Sequence, residues 1–289
     1  MSSTAIQKNF YFLARRFVAG EDVGSAIQAA RALNAQGMSA TLDFLGEDVL
    51  ERDAALRQRD VYLEMLDAIK SSGVDSNVSV KLSAMGLLLD EDFALENLLA
   101  ILKRAGGNAD TFVRIDMEGS ALLEATLRVF ERAYAEHKNV GPVLQAYLKR
   151  TPDDVENAIA LGARVRLCKG AYKEPPEIAY QQMPEIRAQY FELARRLLQY
   201  GTYPGIATHD RRLIAAVKQF VADHAIGSDR FEFQMLYGCR PRVQREIVAQ
   251  GYRLRIYVPF GTHWAGYFYR RVLERRENAL FALSSIFSR

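Results

Sequence analysis

The feature that most constrains this chain is a repeated exchange of two periodicities. Eight short β-rich segments, SATLDFLG, NVSVKLSA, TFVRIDME, GPVLQAYL, ARVRLCKG, PGIATHD, RFEFQMLYG and LRIYVPFG, are spaced along residues 39–261. Helical patterns lie between them, among them ERDAALRQRDVYLEMLDAIKSSG, EDFALENLLAILKRAGG, SALLEATLRVFERAYAEH, MPEIRAQYFELARRLLQYG and DRRLIAAVKQFVADHAIG. Several of these end in glycine, where a left-handed residue closes a helix. Parallel strands need crossover helices, so eight alternations predict an α/β fold of the (β/α)8 barrel type. The 289 residues exceed the ~250 typical of that barrel, which leaves room for a mainly helical segment over 1–38. No linker, low-complexity tract or composition shift divides the chain, so 1–289 reads as a single domain.

Composition acts by exclusion. The net charge of +3 is small and its basic residues are spread along the chain, which argues against nucleic acid as a partner. Cys168 and Cys239 stand far apart without a CxxC, so neither a disulfide framework nor a zinc site is expected and cytoplasmic chemistry fits. Arg15 and Arg16 interrupt the first apolar patch, which does not read as a signal peptide, and no run of about 18 apolar residues predicts a membrane span. Ile6, Phe10, Leu13 and Phe17 recur at helical spacing; that stripe packs on the domain or faces lipid. HExxH, GxSxG and GxGxxG are all absent, which leaves metal hydrolysis, serine acyl transfer and a Rossmann crevice unsupported, and no metal is expected.

Strand side chains alternate between faces, so each β segment sorts into two sets. Val80 and Leu82, Val113 and Ile115, Val165 and Leu167, Phe231 and Phe233, and Leu254 and Ile256 form an apolar set that belongs against helices. The other set is polar: Asp43, Lys81, Arg114, Asp116, Gln145, Arg166, Glu232, Gln234, Arg255 and Tyr257. These are expected to point into the barrel, where an unpaired charge costs several kcal/mol and must find a counter-charge or a polar ligand. Arg114, Asp43 and Glu232 read as a deep ion-pair network. Lys81, Asp116, Gln145 and Arg166 lie nearer the C-terminal strand ends, where this fold carries its catalysis.

At that mouth stand Lys81, Asp116, Arg166, Lys169, Tyr172, His209, Tyr257 and His263, with Arg270 and Arg271 in the following stretch YFYRRVLERRE. Cations outnumber anions, which favours a negative ligand. For the two adjacent arginines the plainer reading is a solvated basic face, since Arg275 and Arg276 continue the pattern. Both cysteines read as small buried fillers.

The segments SVKLSAMG, RIDMEG, VLQAYLKRTPDD, RVRLCKGAYKEP, ATHD, FQMLYG, IYVPFGTHW and YFYRRVLERREN, in this order, resemble the proline dehydrogenase family of flavin enzymes. The similarity runs over nearly the whole chain, from RRFVAGE and LDFLGED onward, and RLCKGAY followed by GTH and the paired arginines is its most specific part. The resemblance implies a distorted (β/α)8 barrel with FAD across the C-terminal strand ends and a final helix, from about Trp264, over the mouth. It also implies a monofunctional chain without a fused aldehyde dehydrogenase module.

Residue by residue, Lys81, Arg270 and Arg271 match positions that bind the proline carboxylate, and Tyr172, Leu236, Tyr257 and Tyr267 match the wall around its ring. Arg166 matches the residue beside the flavin N5 edge, where a cation stabilises charge on the reduced ring. Gln145, Lys169, Gly170, Ala171, Tyr172, Thr208, His209, Asp210, Gln234 and Glu274 match cofactor-lining positions. Gly170 is expected to be glycine because backbone approaches the cofactor closely. Asp116 matches a site carboxylate whose role reads as positioning, with general base as the sharper alternative. Glu47, in the loop after the first strand, is expected to pair with Arg270 as a gate. Asp210 departs from relatives with asparagine there, and Lys173 from relatives with tryptophan.

The implied reaction is hydride transfer from C5 of L-proline to FAD N5, giving 1-pyrroline-5-carboxylate, with reoxidation by a membrane quinone. That places the protein in the cytoplasm, peripherally at the inner face of the cell membrane, with a separate pyrroline-5-carboxylate dehydrogenase as a candidate partner. Two other readings stay open from the residues alone: a Schiff-base aldolase using Lys81 or Lys169, and a catalytically silent amino-acid-binding barrel.

Overall fold

The computed structural model describes residues 16–106 and 111–265. A first helix, α1 (Val23–Asn34), precedes β1 (Ser39–Phe44). Strand and helix then alternate: α2 (Arg52–Ser72), β2 (Ser76–Lys81), α3 (Glu91–Gly106), β3 (Val113–Asp116), α4 (Ser120–Glu136), β4 (Val140–Gln145), α5 (Thr151–Leu161), β5 (Arg166–Cys168), α6 (Met183–Tyr200), β6 (Gly205–Ala207), α7 (Arg211–Asp223), β7 (Glu232–Leu236), α8 (Pro241–Ala249) and β8 (Leu254–Phe260). All neighbouring strands pair in parallel, and β8 returns to β1 from Ser39↔Arg255 to Phe44↔Phe260, closing the barrel. The (β/α)8 architecture expected from the alternation is therefore present, with strands shorter than the segments that foretold them: β5 and β6 have three residues each. Val165 and Phe231 fall just outside their strands but stay buried.

Local signals explain several helix boundaries. Asp22 caps α1 by accepting from the Ser25 N–H, and Asp210 caps α7 by accepting from the Arg212 N–H. Gly73 ends α2 in the left-handed conformation at φ 65°, as glycine readily does. Two glycines read as stops behave otherwise. Gly201 follows α6 in an extended conformation at φ −84°, and α7 ends at Asp223, well before Gly227.

The two faces of each strand part as alternation demands. Val78, Val80, Val113, Ile115, Leu167, Ile206, Phe233 and Ile256 are sealed between strands and helices with Tyr62, Leu66, Leu98 and Tyr190. Each such side chain stabilises the fold by roughly 1.5–3 kcal/mol. The inner face carries the polar set, and small residues make space for it: a Cβ on Gly205 would sit 2.4 Å from the Gln234 Nε2. Ile6, Phe10 and Leu13 of the amphipathic stripe lie outside the described residues, as do Tyr267, Arg270, Arg271 and Glu274 of the expected final helix. Among the described residues no helix is long and apolar enough to cross a membrane.

Candidate active site

A hydrogen-bonded column rises through the barrel. At its base Arg255 Nε donates to both oxygens of Glu232, at 2.8 and 3.1 Å. Burial opposes the charge on Glu232, yet Arg255 and the Gln234 amide hold its carboxyl below the ordinary range. Gln234 Nε2 donates to Glu232 Oε1 at 2.6 Å, which turns its amide oxygen upward to accept from Arg166 Nε. Gln234, expected to line the cofactor, thus has its amide committed to Glu232 below and Arg166 above.

Arg166 continues the column into the mouth, donating through Nη1 to Asp116 Oδ1 at 2.8 Å and to Ser79 Oγ at 3.0 Å. The Ser79 hydroxyl donates to the same Asp116 oxygen at 2.8 Å, and the Tyr257 hydroxyl donates to Asp116 Oδ2 at 2.6 Å. Register explains the convergence, since Lys81 pairs with Asp116 across β2 and β3. Lys81 Nζ lies 2.7 Å from Asp43 Oδ1 and 3.8 Å from Asp116 Oδ2. Against the pull of burial, those carboxylates push the Lys81 pKa upward, so its ammonium stays charged. Burial pushes the Asp43 carboxyl up despite Lys81, and its Oδ2 is buried without a hydrogen-bond partner.

These contacts correct the deep network expected of Arg114, Asp43 and Glu232. Asp43 belongs to the mouth with Lys81, and Glu232 pairs with Arg255. Arg114 instead donates through Nη1 to the carbonyls of Pro142, at 3.1 Å, and Arg164. Burial pulls its guanidinium well below the ordinary arginine range, and the arginines at 166 and 164 add to that pull.

A second group of polar residues edges the mouth beyond β4, β5 and β6. Gln145 is buried and donates to the Glu118 carbonyl at 2.9 Å. Lys169 Nζ and Arg187 Nε each lie 2.7 Å from Asp210 Oδ2, and Thr208 Oγ1 accepts from the Asp210 N–H. Although burial opposes it, hydrogen bonds from Arg187 and Lys169 hold the Asp210 carboxyl far below its ordinary value. His209 Nε2 accepts from the Leu236 N–H at 2.9 Å, which fixes the ring's proton on Nδ1. Ala171 is half-buried and Tyr172 exposed at the rim. Gly170 has a φ of 109°, and a Cβ there would lie 2.2 Å from the Tyr147 ring. Its glycine is therefore required by its own backbone and by Tyr147, independently of any close approach to a cofactor.

Sequence reasoning missed Ser79, Ser83, Glu118, Tyr147 and Arg187. Four carried a usable signal: Ser79 shares the inner face with Lys81, and inward alternation run past the strand ends reaches Ser83, Glu118 and Tyr147. Arg187 lies on α6 and meets Asp210 only through tertiary packing.

A family model described as proline dehydrogenase matches residues 26–283. The chain is 41% identical over 273 residues to proline dehydrogenase 1 of Bacillus subtilis subsp. natto, covering 94% of this chain and 90% of that protein. It is 39% identical to proline dehydrogenase of Deinococcus radiodurans, covering 97% and 92%. Among solved structures, proline utilization A from Bdellovibrio bacteriovorus, inactivated by N-propargylglycine, superposes with a TM-score of 0.87 at 28% identity. That match covers 96% of this chain and 34% of the larger protein.

Proposed function

Because the chain belongs to the proline dehydrogenase family, we propose that it converts L-proline to (S)-1-pyrroline-5-carboxylate with FAD as electron acceptor and a membrane quinone as the final oxidant. The chain is an oxidoreductase of proline catabolism; the cofactor, product and acceptor are the proposal. The observation that carries it is Asp116, which gathers Arg166, Tyr257, Ser79 and Lys81 at one end of the barrel.

The donor set suits FAD. Lys169 and Arg187, shared on Asp210, offer cations for a pyrophosphate. Arg166 is a buried, oriented cation suited to the edge of a ring that gains negative charge. Lys169, Gly170, Ala171, Tyr172, Thr208, His209 and Asp210 would hold the cofactor with Gln145 and Glu274, while Gln234 would act from beneath Arg166. Bound FAD supplies an acceptor at N5 for the hydride leaving proline C5.

The protein's part is orientation and charge. Lys81, with Arg270 and Arg271, fixes the substrate carboxylate, and Tyr172, Leu236, Tyr257 and Tyr267 wall its ring. Hydride loss from the neutral amine leaves a C=N bond, and the nitrogen's proton departs afterwards. Rate should therefore rise with pH until the amine is unprotonated. Glu47 closes the mouth by pairing with Arg270, and quinone reduction brings the barrel to the inner face of the cell membrane. A separate pyrroline-5-carboxylate dehydrogenase consumes the product. Lys81 loses support as the imine-forming lysine of the aldolase reading, because such a lysine needs a lowered pKa and that of Lys81 is raised.

An anaerobic visible spectrum before and after L-proline tests the proposal. A flavin band that bleaches supports it. A flavin unmoved by proline overturns the substrate, and a protein colourless after FAD reconstitution overturns the cofactor.

A further inference from the structure

Between β1 and α2, residues 45–51 leave the C-terminal end of β1, and Glu47 lies in this loop. Its backbone is not relaxed: Asp48 sits at φ 53°, the left-handed region that costs a non-glycine residue about 1 kcal/mol or more. Something must hold it there. The Asp48 N–H donates to Ser83 Oγ at 3.0 Å, and the next N–H, of Val49, donates to the Ser83 carbonyl at 3.2 Å. Ser83 is fully buried. Its own N–H donates to Glu118 Oε1 at 3.0 Å and its hydroxyl to Glu118 Oε2 at 2.5 Å. The Glu118 carboxylate therefore fixes both the placement of Ser83 and the direction of its hydroxyl, leaving the serine lone pairs turned to Asp48.

Glu118 is itself nearly sealed from solvent, and its carbonyl accepts from Gln145 Nε2. One residue thus reaches the cofactor-side amide through its backbone and the loop through its side chain. A carboxylate in such a place is costly to bury for packing alone, since an apolar side chain would fill the volume without desolvating a charge. We propose that Glu118 is a positioning residue for substrate capture: acting through Ser83, it sets the 45–51 loop so that Glu47 stands over bound proline. The inference rests on the gate assigned to Glu47 above.

The test pairs Ser83→Ala, which removes only the hydroxyl, with Glu118→Gln, in full-length FAD-loaded protein, using L-proline as substrate. KM for proline should rise about tenfold in Ser83→Ala, the scale of one lost hydrogen bond that orders a loop, with kcat within about twofold. Amide hydrogen exchange without substrate should quicken about tenfold at residues 46–50 and stay unchanged in β2, β3 and β4. Unchanged exchange at 46–50 in Ser83→Ala overturns the inference, whatever becomes of Glu118→Gln. Glu47→Ala separates the two ideas: if it raises KM while Ser83→Ala does not, the gate stands and the role of Glu118 falls. Exchange that quickens in Ser83→Ala while Glu47→Ala leaves KM unchanged overturns the capture role and the gate together.

Discussion

The Tyr257 hydroxyl donates a hydrogen bond to Asp116 Oδ2, at 2.6 Å, and so commits one end of a β8 side chain to a carboxylate on β3. The pair spans the barrel and holds the tyrosine ring where the Arg166 guanidinium stacks 5.3 Å from its centroid. Tyr257→Phe keeps the ring and removes the tether. We expect kcat/KM for proline to fall about tenfold, the worth of one hydrogen bond to a charged group, with little change in melting temperature. Steady-state kinetics beside a thermal melt would check it.

Lys81 pairs with Asp43 and is proposed to bind the substrate carboxylate, and the two roles separate in a double substitution. Lys81→Met strands Asp43 as a buried carboxyl without its cation, and should cost about 3–5 kcal/mol. Adding Asp43→Asn should restore most of the stability and none of the proline affinity. Chemical denaturation and proline titration report the two effects independently.

The sign of the pH response differs between carboxyls. Asp210 is held far below its ordinary 3.8, so its pairing with Lys169 and Arg187 stabilises the fold above that pH and is lost as pH falls below it. In Asp210→Asn, which keeps a capping oxygen for α7, the stability deficit should be full at neutral pH and shrink on acidification below about 4. Chemical denaturation of the two proteins at neutral pH and below about pH 4 checks it.

Asp43 answers in the opposite sense. Its carboxyl is raised by burial, so the native state holds that proton to higher pH than the unfolded chain does. Its ionisation should weaken the fold as pH rises through the raised value, and Asp43→Asn should abolish that component of the melting curve.

Gly170→Ala meets two penalties, the φ of 109° and the Tyr147 ring. We expect a loss of about 1–3 kcal/mol and reduced flavin retention. Combining it with Tyr147→Ala should remove the steric share and leave the backbone share, which calorimetry of the single and double variants would resolve.

Much of this was legible in the sequence because a strand writes its two faces at every second residue. Val113 and Ile115 against Arg114 and Asp116 announced both the barrel wall and its charged interior before any contact was known. Partners were not legible, since pairing depends on shear between distant strands. Asp43 meets Lys81 because β1 and β2 align Asp43 with Ser79, and Arg114 ends on backbone carbonyls that carry no sequence signature. Helix stops were half legible: glycine permits a left-handed close, and Gly73 uses it while Gly201 does not. Ser83 and Glu118 escaped because they lie past the strand ends, where alternation is easily abandoned too early.

The column from Arg255 to Asp116 also polices assembly. If any strand bearing Arg166, Glu232 or Arg255 slipped by one residue, its charge would turn into the apolar layer under the helices, and no ligand could reach it there. The charged groups of this column therefore act as proofreaders while the barrel closes. Natural drift at these positions is screened twice, first by whether the eight strands find their places and only then by turnover.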